Sequence, residues 1–126
     1  RVRIAHGVYE ASSLASGDVI EMFTLPDGAR LIEGSLAHDA LGSSTTLSVG
    51  YAAHTNAAGT AVSAAAAGYK AAAASTGAQK VDILATLALG SGTVTDTNED
   101  GVIVTCTMGG AAGTGTIEVT IKYAVD

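Results

Sequence analysis

The chain contains no tryptophan, one phenylalanine (Phe23), one proline (Pro26) and one cysteine (Cys106), and only 14% of its 126 residues are charged. Each scarcity excludes something. A single cysteine cannot close an internal disulfide and has no second thiol for a cysteine-based metal site, so the chain is not a disulfide-stapled module. Cys106 is expected to be a small buried hydrophobe. Six basic residues against twelve acidic ones give a formal charge of −6, the wrong sign for wrapping a phosphate backbone, and no Lys/Arg cluster offsets it. Nucleic acid is not an expected partner. Mean hydropathy is +0.37, yet no apolar run reaches the roughly 20 residues of a spanning helix, because Lys70 and Asp82 interrupt the best stretches. The reading is therefore of a soluble protein without a membrane partner. No signal peptide is visible, and a chain that opens on Arg1 instead of Met is expected either to have had N-terminal residues cleaved or to have residues before it.

What is abundant is small and apolar. Hydrophobic residues make up 48% of the chain, but much of that is alanine, which buries little area per residue. The length fits one domain, residues 1–126, with a core that is thin or shared with neighbours in an assembly.

Period-two alternation dominates, the mark of half-buried antiparallel strands. Ile117, Val119, Ile121 and Tyr123 share one face opposite Glu118, Thr120 and Lys122. Val102, Val104, Cys106 and Met108 form a second such face, and Thr45, Leu47, Val49 and Tyr51 a third. In "VDILATLAL" the same rule groups Val81, Ile83, Ala85 and Leu87. The opening segment, an N-terminal strand or arm over residues 1–10, sets Val2, Ile4, His6 and Val8 on its apolar face. In "VIEMFTL" large apolar groups occupy both sides, Val19 and Phe23 on one and Ile20 and Met22 on the other, which predicts a central strand or one pressed on a neighbour. Pro26-Asp27-Gly28 then supplies a turn. About seven short strands with Gly/Ser/Asp punctuation predict an all-β fold, an antiparallel β-sandwich or jelly roll. The exception is an Ala/Gly-rich insertion, about residues 56–79, where alanine's helix propensity competes with Gly59, Gly68 and Gly77; either a short helix (61–67 or 69–75) or a long surface loop is expected there.

One stretch spells a possible metal site. Asp96, Asn98, Asp100 and Gly101 follow the D-x-N-x-D-G order that opens an EF-hand loop. The twelfth position, which should be a bidentate Glu, is Thr107, and the flanks alternate like strands. A hairpin-type turn is the expectation, with a weak calcium site completed by Glu99 or a neighbouring chain as the alternative. No catalytic constellation is present. His6, His38 and His54 have no ligand spacing, "GGAAGTG" lacks the Lys-Ser/Thr of a phosphate loop, and no G-x-S-x-G elbow occurs. Neither an enzyme nor a cofactor is expected.

The order of segments, "ASGDVIEMFTLPDGARLIEGSL" (Ala15 to Leu36), "STTLSVGY" (Ser44 to Tyr51), an Ala/Gly-rich middle and "GTGTIEVTIKY" (Gly113 to Tyr123), resembles capsid decoration, or cement, proteins of tailed bacteriophages. Residues 57 to 78 depart from that pattern. The resemblance implies a β-sandwich or jelly-roll subunit on the outer surface of the expanded head. There it would clamp adjacent major capsid proteins, commonly as a homotrimer. Arg1, Arg3, Met22, Phe23 and Tyr69 are the interface candidates it suggests, with Tyr69 expected to be the most exposed tyrosine. Arg30, after the turn, is expected to fix that turn through a salt bridge. The alternatives are a phage tail or head-fibre base module and a lectin-like calcium- or carbohydrate-binding sandwich using the Asp96 to Asp100 loop. Scarce aromatics for stacking on sugars count against the latter.

Overall fold

A computed structural model describes residues 1–86, 92–98 and 100–125. Its ten strands are β1 (Val2–Leu14), β2 (Val19–Leu25), β3 (Arg30–His38), β4 (Thr46–Tyr51), β5 (His54–Thr55), β6 (Ala61–Val62), β7 (Ala65–Ala74), β8 (Gln79–Asp82), β9 (Val102–Gly109) and β10 (Gly113–Ala124). Two four-stranded antiparallel sheets run in the orders β1-β10-β3-β8 and β2-β9-β4-β7, and β5-β6 forms a small separate hairpin. With that hairpin set aside, the chain changes sheet at every step except β4 to β7. This is a jelly roll, the double-sheet answer to the problem of exposed strand edges.

The alternating residues of β10 and β9 do what their period dictates. Ile117, Val119 and Ile121 are wholly buried beneath Val104, Cys106 and Met108 of the other sheet, with Leu31, Leu36, Leu47 and Val49 filling the layer between. Each such side chain contributes roughly 1.5–3 kcal/mol by leaving water. Pro26-Asp27-Gly28 does make a turn, with Gly28 at φ 75°, and it carries the chain from one sheet to the other.

Four expectations are corrected. The Ala/Gly-rich segment is neither helix nor loop: β7 pairs with β4, Ala73 opposite Leu47 and Lys70 opposite Val49. Backbone pairing there overrides alanine's helix propensity. β2 is an edge strand, not a central one. A bulge at Met22 resets its register, so that Ile20, Phe23 and Leu25 lie opposite Cys106, Val104 and Val102, and this is why both faces of the stretch carry apolar residues. The strand predicted over "VDILATLAL" stops at Asp82, and Ile83 and Leu84 are both buried where alternation would separate them; Leu87 lies outside the described residues. Finally, the face of β1 expected to be inward is outward, as the next subsection describes.

Candidate interaction surface and aromatic pocket

β1 is an edge strand whose ladder partner is β10, Ile4 opposite Lys122, His6 opposite Thr120 and Val8 opposite Glu118. Directly opposed residues share a face, and the outward face of β10 holds its polar set. Val2, Ile4 and Val8 are accordingly 55%, 67% and 52% exposed. His6 is exposed among them, its Nδ1 2.7 Å from Thr120 Oγ1. The inward positions are Ala5, Gly7 and Ala11, and the reason is space: a Cβ on Gly7 would lie 2.7 Å from the Met22 carbonyl oxygen. β1 thus packs on the bulge of β2 through its smallest residues and turns its largest to solvent. Hydropathy alone read that strand the wrong way round.

Beside the apolar stripe, the outer face of this sheet is polar. Glu118, Thr120 and Lys122 of β10 continue into Glu33 and Ser35 of β3 and Lys80 and Asp82 of β8. Lys122 Nζ and Glu33 Oε1 stand 3.7 Å apart, both exposed, a pair that adds little stability. Arg1 and Arg3 are exposed at the start of the chain, Arg3 on the other face of β1, opposite Tyr123 and in line with Ala5 and Gly7. Residues 1–9 hold these two of the six basic residues and no acid, so the remainder of the chain carries a formal −8.

The other candidates fall elsewhere. Met22 and Phe23 are half-buried and both pack on the core, so neither points away from it. Tyr69, expected at the surface, is 5% exposed; burial, with a smaller effect from Tyr51, pushes its phenol up to about 12. Arg30 donates to the Gly92 carbonyl oxygen at 3.1 Å and, among the described residues, forms no salt bridge, and the Pro26 turn is tied down by Asp27 Oδ1 accepting from Thr97 N. In the Asp96 loop, Asp96 Oδ1 accepts from Ala57 N at 3.1 Å and Asn98 Oδ1 from Asp100 N at 3.0 Å, with Gly101 at φ 77°. The Asn98 bond is a turn bond, while the Asp96 bond ties the loop to the segment between β5 and β6. Among the described residues no cluster of three His, Cys, Asp or Glu side chains is placed to hold a metal ion, and Glu99 lies outside them. Cys106 is fully buried, and burial pushes its thiol up to about 12.

A feature that sequence reasoning missed lies between β4, β5, β7 and the segment before β9. There a cavity of about 310 Å³ is lined by Tyr51, His54, Asn56, Tyr69, Thr93 and Asp96, among others. Tyr51 meets the Tyr69 ring at 5.6 Å and 57°, and the His54 ring edge-on at 5.5 Å and 73°. Gly68 makes the room, since a Cβ there would lie 2.5 Å from Tyr51 Cε2. Two of the chain's five Phe and Tyr residues meet here. Only the pairing of β7 with β4 brings Tyr69 to Tyr51, and nothing in the alanine-rich sequence around Tyr69 signals that pairing.

No protein-family model matches the sequence, and no curated protein matches it. Solved structures do. A chain of the capsid of Ralstonia phage GP4 superposes with a TM-score of 0.75 at 21% identity, covering 100% of this chain and 85% of that one. The fold is one found in phage capsids. A chain of the cyanophage Pam1 capsid asymmetric unit gives 0.65 at 20% identity, over 99% of this chain and 85% of that chain. A chain of infectious bursal disease virus, Gx strain, gives 0.53 at 14% identity and is matched over 36% of its own length. The phage-capsid fold accounts for the two-sheet core and the jelly-roll order, while the residues on its outer faces belong to this chain.

Proposed function

We propose that this protein is a non-enzymatic structural component of a phage virion, a decoration protein that binds the outer surface of the head and bridges neighbouring major capsid proteins. The observation that carries this reading is the exposed stripe Val2, Ile4 and Val8 on edge strand β1. Three large apolar residues on one face of a sheet edge, with His6 between the second and third, suit burial against a partner. Arg1 and Arg3 stand exposed at the same end of the chain, the basic end of an otherwise acidic protein, which suits an acidic capsid surface. The fold shared with chains of two phage capsids supports the virion setting. We extend the reading to a homo-oligomer, a homotrimer on the head, in which many weak contacts around a symmetric unit raise avidity.

The test is the copy number of this chain relative to the major capsid protein in purified particles, by quantitative mass spectrometry. A simple fraction of the capsid-protein count supports decoration. A handful of copies assigns the chain to a tail or head-fibre base, and absence from particles ends the virion reading. Where copies are many, Ile4→Asp and Val8→Asp are expected to leave the isolated protein's melting temperature nearly unchanged, because both side chains are already in water, while weakening attachment to stripped heads by about tenfold or more.

A further inference from the structure

We propose that the cavity walled by Tyr51 and Tyr69 is a binding site for one sugar ring of a glycan, a second function separate from attachment to the head. Its volume of about 310 Å³ lies at the small end of the roughly 300–1,000 Å³ range of small-molecule pockets. Tyr69 is 5% exposed, and within the described residues its Oη has no hydrogen-bond partner. Although the ring is nearly buried, this oxygen is not one of the fully buried unpaired side-chain atoms among the described residues, so it keeps access to solvent and, on a residue that lines the cavity, is available to a ligand's polar group.

The remaining polar groups are partly committed and partly spare. His54 Nδ1 donates to the Ala52 carbonyl at 3.0 Å, which leaves Nε2 as an acceptor in the neutral ring. Asn56 Oδ1 accepts from Ala58 N and Thr60 N, which leaves its two amide N–H donors. Asp96 uses Oδ1 on Ala57 N and keeps Oδ2. The site therefore offers donors, acceptors and aromatic surface together. Vicinal hydroxyls, each donor and acceptor at once, match that mixture, and the C–H face of a sugar ring matches the half-buried ring of Tyr51. No Lys or Arg is among the described lining residues, so an anion has nothing to hold it.

The experiment is saturation-transfer NMR on the full chain with a panel of methyl glycosides of glucose, galactose, mannose and N-acetylglucosamine, together with shift mapping on labelled protein. At least one glycoside is expected to bind with Kd on the order of 1 mM, shifting Tyr51, Asn56, Tyr69 and Asp96. Tyr69→Phe and Asp96→Asn, which keep the ring and the Ala57 contact, are each expected to weaken it by about tenfold. Silence from every glycoside at about 50 mM overturns the proposal, as does binding that both variants leave unchanged. Tetramethylammonium or Nα-acetyl-lysine amide binding there while the sugars do not also overturns it, since the pocket would then take a cation on its tyrosine faces. If either variant melts early, the shift map of the wild-type protein decides alone. None of these outcomes depends on whether the chain is found on virions.

Discussion

Gly50 in β4 offers a sharp test of the packing. A Cβ at that position would lie 1.8 Å from the Ala65 carbonyl oxygen and 2.7 and 2.8 Å from the carbonyl carbon and oxygen of Ala66. All three atoms are backbone, so no side chain can swing away. Reaching the 3.0 Å that real Cβ contacts respect requires the start of β7 to retreat by 1.2 Å, the difference between that distance and 1.8 Å. Overpacking of this kind costs about 1–3 kcal/mol, and losing one strand hydrogen bond between β7 and β4 adds about 1 kcal/mol. Gly50→Ala is thus expected to destabilise the protein by about 3 kcal/mol, lowering Tm by roughly 10–15 °C in a chain of this size. The matched control is Gly77→Ala, where a Cβ meets nothing within 4 Å; it should be neutral, or stabilising by up to about 1 kcal/mol through the unfolded chain. Both are read by circular-dichroism melts at one protein concentration. Should the two variants melt within about 2 °C of each other, the close passage of β7 over β4 would be wrong, and with it the geometry of the aromatic pocket.

Alkaline pH supplies another test. Cys106 is raised by burial from 9.0 to about 12 and Tyr69 from 10.0 to about 12, so between those values the folded state holds protons that the unfolded chain has released. Stability is then full below about pH 9 and falls as pH rises, by up to about 1.4 kcal/mol per pH unit for each group. Urea midpoints at about pH 8 and about pH 10.5 should show that fall, and Cys106→Ala, though less stable at the lower pH, should show a smaller one; equal slopes would contradict the burial of the thiol. Calcium is expected to do nothing to the melting curve, since Asp96 and Asn98 already spend an oxygen each on backbone N–H groups. A rise of about 2.7 kcal/mol at a hundredfold excess over Kd would mean that the loop binds the ion after all. Met22→Asp and Phe23→Asp are expected to lower Tm instead of acting at a surface, because both side chains pack on the core, and variants that melt normally would misplace β2.

How far the fold could be read from the residues depended on what each strand buries. β9, β10 and β4 lie in the middle of their sheets, and their large residues alternate in the sequence as they do in space. β7 could not be read, because alternation among alanines and glycines carries no contrast and the strand exists through pairing with β4. β1 alternates clearly but was assigned the wrong inward face. What places Ala5, Gly7 and Ala11 inside is the closeness of Met22, a tertiary fact that hydropathy does not encode. The bulge at Met22 likewise made an edge strand look two-sided. Of the candidate sites, Arg1 and Arg3 stand at the surface as expected, while Tyr69 was placed on the wrong side of it. The pocket it forms with Tyr51 joins residues eighteen positions apart, and Asp96 reaches it from a third segment.

The pairing of β1 with β10 sets a timetable for folding. Of the described strands, the outermost one of this sheet leaves the ribosome before the others, and the strand it must pair with, which also holds β3, after them. At roughly 5–20 residues per second, the hundred or so residues between them impose a wait of about 5–20 s, during which Val2, Ile4 and Val8 have neither a ladder beside them nor a sheet beneath them. Such non-local closure is slow and prone to aggregation. During that interval Ala5, Gly7 and Ala11 of β1's inner face help, because they give stray chains little to grip. The same small residues that fit beneath Met22 in the finished protein keep the nascent strand quiet until β10 arrives.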